Sequence, residues 1–283
     1  VGESQALLKC LDQAAKAAAS ESSVLIWGET GCGKELFAKA IHENSARSDK
    51  NFIVIDCGAL SENLVESVLF GHEKGAFTGA TQASEGLISQ AAGGTLFLDE
   101  IGELGPAIQK TFLRTLQERL VRPVGGKKER PVDFRLVAAT NRDLEEMVEK
   151  GAFRSDLLYR VRGIEIKLPP LRDRSDDIRE ITHHKIKQLG GLYGIGIKGI
   201  SEAFLEALEK YDWPGNVREL MNVLEHSLAN AGSDPTIVPK HLPPKYRTSL
   251  LGPIPEHNQA ESYNAMDYVL FSDGKLRKWT DYK

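Results

Sequence analysis

The chain is 283 residues long, with a formal net charge of −4 and a hydrophobic share of 41%. This length predicts one large domain or two of ordinary size, and the acidic balance excludes binding of nucleic acid through overall charge. No apolar run has the length of a membrane span, and the first residues lack the basic leader and apolar stretch of a secretion signal. The cysteines Cys10, Cys32 and Cys57 have no metal-type spacing, so we expect reduced thiols in the cytoplasm.

Short apolar runs and helical patterns alternate along the first 170 residues. The helical patterns place apolar side chains on one face, and the short runs are typical of buried strands. Such alternation predicts a parallel sheet that is covered by helices on both faces. In chain order we predict a helix at 5–19, a strand at 24–27, a helix around 36–41, a strand at 52–55, a helix at 64–70, a strand at 95–98, a helix at 106–120 and strands at 136–139 and 163–168.

The sequence LPPLRDR at 168–174 ends this alternation. Beyond it, helical patterns at 175–189, 201–211 and 215–230 predict a small all-helical domain. From residue 243 the sequence is proline-rich and polar, which predicts a linker, and LRKWTDYK at its end is interpreted as the start of another helix. The predicted domains are an α/β domain at 1–170, a helical domain at 171–242 and a linker at 243–283.

The segment VLIWGETGCGKE places a glycine-rich turn between a strand and a helix. Glycines let backbone amides close around phosphates, and the helix N-terminus adds its positive dipole end. In the pattern G-x-x-x-x-G-K, Lys34 is expected to reach the β- and γ-phosphates of a nucleotide, and the alternative is an incidental lysine in a glycine-rich turn. The predicted nucleotide-binding residues of this segment are Gly28, Glu29, Thr30, Gly31, Cys32, Gly33, Lys34 and Glu35.

Glu35 departs from the general P-loop pattern, in which Ser or Thr offers Mg²⁺ a hydroxyl. The metal then depends more on phosphate oxygens, water and another carboxylate. TLFLDE supplies carboxylates at a strand end, with Asp99 as the acid on the metal side and Glu100 as the base that polarises the attacking water. Asn141 ends the next strand and would orient the same water. The alternatives are acidic residues that keep a strand end soluble and an ordinary turn asparagine.

Three arginines are candidates for contact with the γ-phosphate. Arg154 and Arg160 lie six residues apart in FRSDLLYRV and therefore not on one helix face. The functional interpretation is that one or both reach a nucleotide held by a neighbouring subunit, and the alternative is a surface salt bridge. Arg218, near the start of a helix in WPGNVREL, would report the nucleotide state from the helical domain, with a charged surface residue as the alternative.

The loop GHEKGAFTGAT at 71–81 places Phe77 and Thr78 among small residues. An apolar aromatic side chain normally belongs in a core. Either the loop folds back and buries Phe77, which the local sequence favours, or the ring is exposed for a partner.

Over residues 1–244 the chain resembles the AAA+ ATPase domain of bacterial enhancer-binding proteins, the NtrC-like activators of sigma-54 RNA polymerase. The resemblance rests on GETGCGKE, FGHEKGAFTGA, AAGGTLFLDEIGEL, ATNRDL, FRSDLLYR, LPPLRDR and WPGNVREL. Other AAA+ branches share the nucleotide site, whereas GAFTGA is close to diagnostic for this one. The resemblance implies a P-loop AAA+ fold, with a parallel five-stranded sheet sandwiched by helices and a small helical lid, that hydrolyses ATP with Mg²⁺.

The resemblance also implies roles for individual residues. The matches are Lys34 to Walker A, Asp99 and Glu100 to Walker B, Asn141 to sensor I, Arg154 and Arg160 to the trans-acting arginine pair, and Arg218 to sensor II. The surface loop that contacts the sigma factor matches Gly75, Ala76, Phe77, Thr78, Gly79 and Ala80, so the resemblance reverses the expectation of a buried Phe77. Glu35 is usual in this family, and Cys32 replaces a more frequent Thr.

Asp56 in VIDCGAL departs from the family, because many of its members have Asn there. The resemblance implies that such an Asn holds the catalytic glutamate and couples it to the sigma-contacting loop. An ionised Asp56 cannot donate a hydrogen bond to Glu100, and two nearby carboxylates repel each other or share a proton. We therefore expect a switch at Asp56 that works through water, or an Asp56 side chain that points away from Glu100.

The function implied by the resemblance is ATP-driven conversion of the closed sigma-54 RNA polymerase complex to the open complex. The expected partners are sigma-54 factor, RNA polymerase and further copies of this chain in a ring of six, with seven as the alternative. A signal-receiving domain, such as the phospho-acceptor of a two-component system, and a DNA-binding domain are expected outside this chain, which we place in the bacterial cytoplasm. The basic run GGKKER at 125–130 fits the family's second surface loop or a plain exposed turn.

Two other functions fit parts of the sequence. A different AAA+ machine, such as a helicase motor or an unfoldase, would carry pore-loop or nucleic-acid-tracking residues in place of GAFTGA. A non-enzymatic nucleotide-gated scaffold would not need LDE together with Asn141 and the arginine pair, which are parts of a hydrolytic site.

Overall fold

The structure is a computed structural model that describes residues 1–59, 62–194, 198–251, 268–270 and 276–278. Residues 1–243 form one compact unit, and residues 244–283 form a second. The elements of the first unit are α1 Gln5–Ala18, β1 Val24–Trp27, α2 Lys34–Glu43, β2 Phe52–Asp56, α3 Glu62–Phe70, β3 Gly71–His72, β4 Ser84–Glu85, α4 Leu87–Gln90, β5 Thr95–Asp99, α5 Pro106–Glu118, β6 Leu120–Val121, β7 Arg130–Pro131, β8 Arg135–Thr140, α6 Leu144–Glu149, α7 Ser155–Val161, β9 Ile164–Lys167, α8 Asp176–Leu192, β10 Gly199–Ile200, α9 Glu202–Glu209, α10 Asn216–Ala231 and β11 Thr236–Ile237.

Five parallel strands form the central sheet in the order β2-β5-β8-β1-β9, which confirms the predicted parallel sheet. Strands β1, β5 and β8 are buried almost throughout, as expected for parallel strands that read as continuous apolar runs. Successive side chains point to opposite faces of a sheet. Leu25 and Leu96 accordingly join one hydrophobic cluster, and Ile26 and Phe97 join another. Helices therefore cover both faces.

The carboxyl ends of β1, β5 and β8 lie along one edge of the sheet. Strand β1 pairs with β8 on one side and with β9 on the other. After β1 the chain crosses to β2 at the sheet edge and returns through β5 to β8, so its direction across the sheet reverses. Open parallel sheets bind ligands in the crevice outside the carboxyl ends of strands at such a reversal. The loops that follow these three strands carry the glycine-rich turn, the acidic pair and Asn141, so the fold brings them to one place.

Local sequence sets the helix starts. Ser4 caps α1 by accepting the Leu7 N–H at 3.3 Å, and Pro106 is the first residue of α5. Asp143 caps α6, with Oδ1 accepting the N–H groups of Glu145 and Glu146 at 2.9 and 3.0 Å. Helices α6 and α7 and the short hairpins β3–β4 and β6–β7 were not predicted, because a few residues carry no readable period.

Helices α8, α9 and α10 follow the last strand of the central sheet, and we call this group of helices the lid. Trp213 is fully buried in the turn before α10, and its Nε1 donates to Leu208 O at 2.8 Å. This bond ties the end of α9 to the start of α10. The prediction of an all-helical lid is wrong in one detail, since β10 and β11 pair as a two-residue parallel ladder.

The second unit contains regular structure in the region that was predicted as linker. Helix α11 spans Pro244–Leu251, and the strands β12 Tyr268–Leu270 and β13 Leu276–Lys278 pair antiparallel. A proline in the first helical turn is compatible with α11. The expectation that a helix begins at 276 is wrong for β13, which pairs with β12 instead. In the described ranges of both units, no helix has the length and apolar character needed to cross a membrane.

Candidate active site

The loop between β1 and α2 curls around its own lysine. Gly31 and Gly33 adopt positive φ angles of 79° and 107°, which glycine adopts without strain. Lys34 begins α2 and is only 6% exposed. Its Nζ donates to Gly28 O at 3.1 Å and lies 3.1 Å from Glu100 Oε1. The loop therefore surrounds one buried cation at the start of a helix, which is the combination that a phosphate site uses.

The acidic pair follows β5. Glu100 has a left-handed backbone, with φ 52° and ψ 52°, and its N–H donates to Asp99 Oδ1 at 3.1 Å. A non-glycine residue in this conformation costs energy and often marks a functional site. One Glu100 oxygen lies near Lys34, and the other accepts the Asn141 N–H at 3.0 Å. The Glu100 carboxylate is thus held between the P-loop lysine and the end of β8.

Asn141 also contacts the P-loop, in this case with its side chain. Its Nδ2 donates to Thr30 Oγ1 at 3.0 Å. The main chain of Asn141 therefore contacts Glu100 while its side chain contacts the glycine-rich loop. Asn141 was predicted to orient the attacking water. In the structure it lies where the glycine-rich loop, the end of β5 and the end of β8 meet.

The start of lid helix α10 packs against the P-loop. The Arg218 N–H donates to Gly31 O at 3.3 Å, and a Cβ added at Gly31 would overlap Gly215 O. The Arg218 side chain is exposed. The structure therefore places the Arg218 backbone next to the loop, and the contact of its side chain with a γ-phosphate stays a prediction. Asn216 and Arg172, which contact Glu29 of the same loop, were missed, because only the fold brings them together.

Arg154 and Arg160 lie on a different part of the α/β domain. Arg154 precedes α7 and makes two hydrogen bonds to the Asp156 carboxylate, at 3.0 and 2.7 Å. Arg160 is exposed and donates to Leu116 O at 3.2 Å. Within the described part of this single chain, neither guanidinium hydrogen-bonds a P-loop residue. The ion pair of Arg154 with Asp156 is the surface salt bridge that was the alternative to a role in another subunit's site. For Arg154 to reach a neighbouring subunit, this ion pair would have to break.

The GAFTGA loop forms the tip between β3 and β4. Gly75 and Gly79 have φ angles of 82° and 106°, and the Gly75 N–H donates to Ala80 O at 2.9 Å, which closes the tip. Phe77 is 43% exposed, so the expectation from local sequence that it is buried is wrong. Its ring instead meets the His72 ring edge-on, with centroids 5.0 Å apart. The neighbours of Phe77 are too small to cover it.

The basic run lies beside this loop. The Glu73 N–H donates to Val124 O at 3.0 Å, and the Val124 N–H donates to Gly71 O at 2.9 Å. A Cβ added at Gly125 would come 2.9 Å from the Cβ of Ala76. GGKKER therefore belongs to a second surface loop that is hydrogen-bonded to the first.

Asp56 points into its own turn. Its Oδ1 accepts the N–H groups of Gly58 and Ala59 at 2.9 and 3.2 Å. It ends β2 directly beside Asp99, whose pKa is raised first by burial, then by Glu100 and least by the charge of Asp56. Asp56 and Glu100 thus bond to different partners, since the two Glu100 oxygens face Lys34 and Asn141, and the role of Asp56 as a switch stays a prediction.

Burial raises the pKa of the Asp99 carboxyl, the Glu100 charge raises it further, and Lys34 opposes both effects. A carboxyl with a raised pKa holds its proton more tightly in the folded state than in the unfolded state. Folding stability therefore falls as the pH rises from the unfolded pKa through the folded pKa. Above this pH range the full cost of ionising Asp99 is present in the nucleotide-free fold.

We expect Asp99→Asn to raise the thermal midpoint of the nucleotide-free protein at neutral pH. The gain should shrink as the pH falls into the range in which Asp99 binds its proton. Each 1 kcal/mol of relief corresponds to about 2–4 °C in a domain of this size. Asp156→Asn is the matched control with the opposite sign, because Arg154 lowers the pKa of Asp156. A midpoint below that of the wild type for Asp99→Asn at neutral pH would contradict the account.

The fold and this site together define a P-loop AAA+ domain. The defining features are the parallel five-stranded sheet, the glycine-rich loop before α2, the acidic pair after β5 and the lid against the loop. The chain belongs to the sigma-54 interaction domain family, whose model matches residues 1–167. Residues 172–257 match the AAA+ ATPase lid domain.

Two curated relatives named as regulators are longer than this chain. The Sigma54-dependent transcriptional regulator SfnR of Pseudomonas fluorescens (strain Pf0-1) is 53% identical over 226 residues, which cover 80% of this chain and 61% of that protein. The regulatory protein AtoC of Escherichia coli (strain K12) is 48% identical over 244 residues, which cover 86% of this chain and 53% of that protein. The chain thus spans about half to three-fifths of the length of these relatives.

A solved structure has the same fold. The crystal structure of NtrX from Brucella abortus in complex with ATP superposes with a TM-score of 0.82 at 30% sequence identity. The match covers 93% of this chain and 57% of that chain.

Proposed function

We propose that this chain binds and hydrolyses ATP with Mg²⁺, and that hydrolysis drives the conversion of closed to open complexes of sigma-54 RNA polymerase. The observation that carries the proposal is the position of Glu100, whose carboxylate lies between the P-loop lysine and the Asn141 N–H at the carboxyl edge of the sheet. Family membership and the likeness to an ATP-bound NtrX support it.

The contacts of Glu100 indicate how the residues of the site act in hydrolysis. A γ-phosphate in the loop competes with Glu100 for Lys34, which is the buried cation of the site. Glu100 then loses its counter-charge and accepts a proton from water, while the Asn141 N–H keeps the carboxylate in place. The resulting hydroxide attacks the γ-phosphorus, and the bond to the bridging oxygen breaks to give ADP and phosphate.

Mg²⁺ would neutralise charge on the phosphates. Asp99 would hold it from the protein side, and the nucleotide and water would supply the other ligands, because the described residues contain no group of three or more His, Cys, Asp or Glu placed to hold a metal. The raised pKa of the Asp99 carboxyl fits this role, since a divalent cation stabilises the ionised form that burial disfavours.

The GAFTGA loop is the proposed contact with sigma-54 factor. Phe77 is exposed at a tip that two glycines let bend. A swing of a two-state loop from 1:99 to 99:1 requires about 5.5 kcal/mol of differential interaction. Contacts of one γ-phosphate with Lys34, Asn141 and an arginine would supply an energy of this order.

Asp56 is the proposed switch between the site and the loop. Its turn at 57–59 precedes α3, and α3 runs directly into the hairpin that carries GAFTGA. We expect Asp56→Asn to change the ratio of ATPase rates with and without sigma factor by about fivefold or more, the usual lower range for coupled sites. An unchanged ratio would count against Asp56 as a switch.

Arg154 and Arg160 are proposed to act in trans in a ring of six or seven copies. ATPase activity per protomer should then rise with protein concentration in step with assembly, as followed by light scattering. Arg154→Ala should lower the assembled rate by about 10³–10⁵-fold, which is the usual contribution of an arginine finger. Arg162→Ala is the matched control, because Arg162 ends the same helix and pairs with Glu145 at 2.6 Å.

Mixing two inactive variants separates a trans role from a structural one. Arg154→Ala keeps its own Glu100, and Glu100→Gln keeps its own Arg154. In mixed rings a site with Glu100 meets a neighbour with Arg154, so the mixture should recover activity that neither variant has alone. Full activity of a monomeric species, or no recovery in verified mixed rings, would exclude the trans role.

We also propose properties for the whole protein. The curated relatives are named as a sigma54-dependent transcriptional regulator and a regulatory protein. By analogy, the whole protein would act in the bacterial cytoplasm with RNA polymerase, contact DNA through a domain outside this chain and receive a signal of the two-component type. Loss of promoter-specific DNA binding on removal of that domain would test the DNA assignment, and retention would contradict it.

A further inference from the structure

One fully buried polar side chain joins the lid to the P-loop. Asn216 is the first residue of α10, has a left-handed φ of 52° and is 0% exposed. Its Nδ2 donates to Glu29 Oε2 and to Thr30 O, both at 3.1 Å. Its Oδ1 accepts the Leu171 N–H at 2.7 Å. Asn216 thus uses both ends of its amide, one toward the P-loop and one toward the turn that leads into the lid.

Glu29 is held from a second direction. Arg172, in the turn after β9, donates to Glu29 through Nη1 at 2.9 Å and through Nη2 at 2.6 Å. Hydrogen bonds from Arg172, and then from Asn216, lower the pKa of Glu29, which keeps the carboxylate ionised. The side chain of this P-loop residue is therefore bound by the lid side of the molecule.

The chemistry of position 216 is restrictive. The left-handed backbone favours Asn, Asp or Gly. The two Nδ2 bonds require a donor against a carboxylate and a carbonyl, and the Oδ1 bond requires an acceptor for a backbone N–H. Of those three residue types only Asn supplies both. Arg218 follows two residues later and bonds Gly31 O, so the same helix end meets the loop at two points.

We infer that Asn216 is a positioning residue for the nucleotide: by holding Glu29 and Thr30 O it fixes the first half of the P-loop to the start of α10. The lid then moves together with the loop that holds the phosphates, and Arg218 keeps its register with them. This inference rests on the proposed nucleotide binding. It assigns to Glu29 a structural partner in the lid in place of a direct phosphate contact.

Asn216→Asp tests whether the amide donor of Asn216 is needed for nucleotide binding. It has nearly the same size and tolerates the same backbone, and it keeps the acceptor for the Leu171 N–H. It replaces the donor with an oxygen that faces Glu29 and Thr30 O, which should weaken ADP binding by about tenfold or more. Asn230→Asp is the matched control, because Asn230 is an asparagine of the same helix that donates to His241 O at 2.9 Å.

A second substitution separates positioning from simple folding. Glu29→Gln can donate an amide N–H toward the new oxygen, so the double variant Glu29→Gln/Asn216→Asp should recover at least about threefold of the lost ADP affinity. Glu29→Gln alone loses the charged pair with Arg172 and is the reference for the double variant, so the recovery is measured as a double-mutant cycle. A role of Asn216 through Leu171 alone would give no loss in Asn216→Asp and no recovery in the double variant.

ADP affinity is measured by titration calorimetry on the folded chain, with circular dichroism as the folding check. If Asn216→Asp does not fold, Glu29→Ala removes the same contact from a half-exposed residue and should weaken ADP binding by about tenfold. Wild-type affinity in a folded Asn216→Asp, or in Glu29→Ala, would overturn the inference. A wild type that binds no ADP would instead overturn the proposed function.

Discussion

Replacing Glu100 with glutamine is expected to stop ATP turnover and to leave nucleotide binding intact. The glutamine oxygen can still accept the Asn141 N–H, so the local structure should persist. It cannot accept a proton from water, and the loss of a general base lowers rates by about 10²–10⁴-fold. Lys34 also loses its ion-pair partner in the protein, so its charge stays available to phosphates. The measurement pairs steady-state phosphate release with titration of ADP and a slowly hydrolysed ATP analogue.

Glu103→Gln is the matched control for this experiment. Glu103 lies three residues further along, is half-exposed and pairs with Arg142. Its loss should leave turnover within about threefold of the wild type, as for other surface ion pairs. Turnover near the wild-type rate in Glu100→Gln would mean that another group activates the water. Loss of ADP binding in that variant would mean that the substitution damaged the loop.

Replacing Phe77 with alanine is expected to abolish open-complex formation and to keep ATPase activity within about threefold of the wild type. The ring is exposed and makes its described ring contact with His72, whose Nδ1 lies 2.8 Å from Ser67 Oγ. The loop is at the far end of α3 from the Asp56 turn, so the nucleotide site should not change. Exposed aromatic side chains of this kind often dominate an interface, and truncation of one costs about 2–4 kcal/mol or more.

The control for Phe77→Ala is Tyr193→Ala, an aromatic side chain that is 59% exposed at the end of α8. That variant should keep both ATPase activity and promoter opening. Thr78→Ala should behave like Phe77→Ala, because it lies at the same tip. Binding of purified sigma-54 factor gives a second measurement. Promoter opening at the wild-type rate by Phe77→Ala would remove the loop from the proposed mechanism.

The parallel sheet, and the meeting of Lys34, Glu100 and Asn141 at its edge, could be predicted from the sequence for a simple physical reason. Strands β1, β5 and β8 are apolar along their whole length because both faces are covered, and such runs are easy to read. In a parallel sheet their carboxyl ends meet, so Lys34, Glu100 and Asn141 had to come together once the strands were recognised. The direct pairing of Lys34 with Glu100 was not predicted, because it depends on the rotamers of two side chains.

The features that the sequence missed depend on contacts between distant segments. Asn216 lies 187 residues from Glu29 in the chain, and nothing in WPGNVREL identifies which of its polar residues turns inward. The left-handed backbone at Asn216 comes three residues after the buried Trp213, whose Nε1 bonds to the end of α9, and local sequence does not reveal such contacts. Local sequence also does not show whether a loop folds back onto the core, so the expectation of a buried Phe77 was wrong and the ring is 43% exposed.

The central claim is that hydrolysis of ATP by this chain opens a sigma-54 promoter complex. The direct measurement is permanganate footprinting of the promoter with sigma-54 RNA polymerase and the purified chain, at a protein concentration that saturates the ATPase rate. With ATP we predict reactive thymines in the opened region. With a non-hydrolysable ATP analogue, or with Glu100→Gln and ATP, we predict none. Promoter opening with the analogue, or by Glu100→Gln without turnover, would contradict the claim.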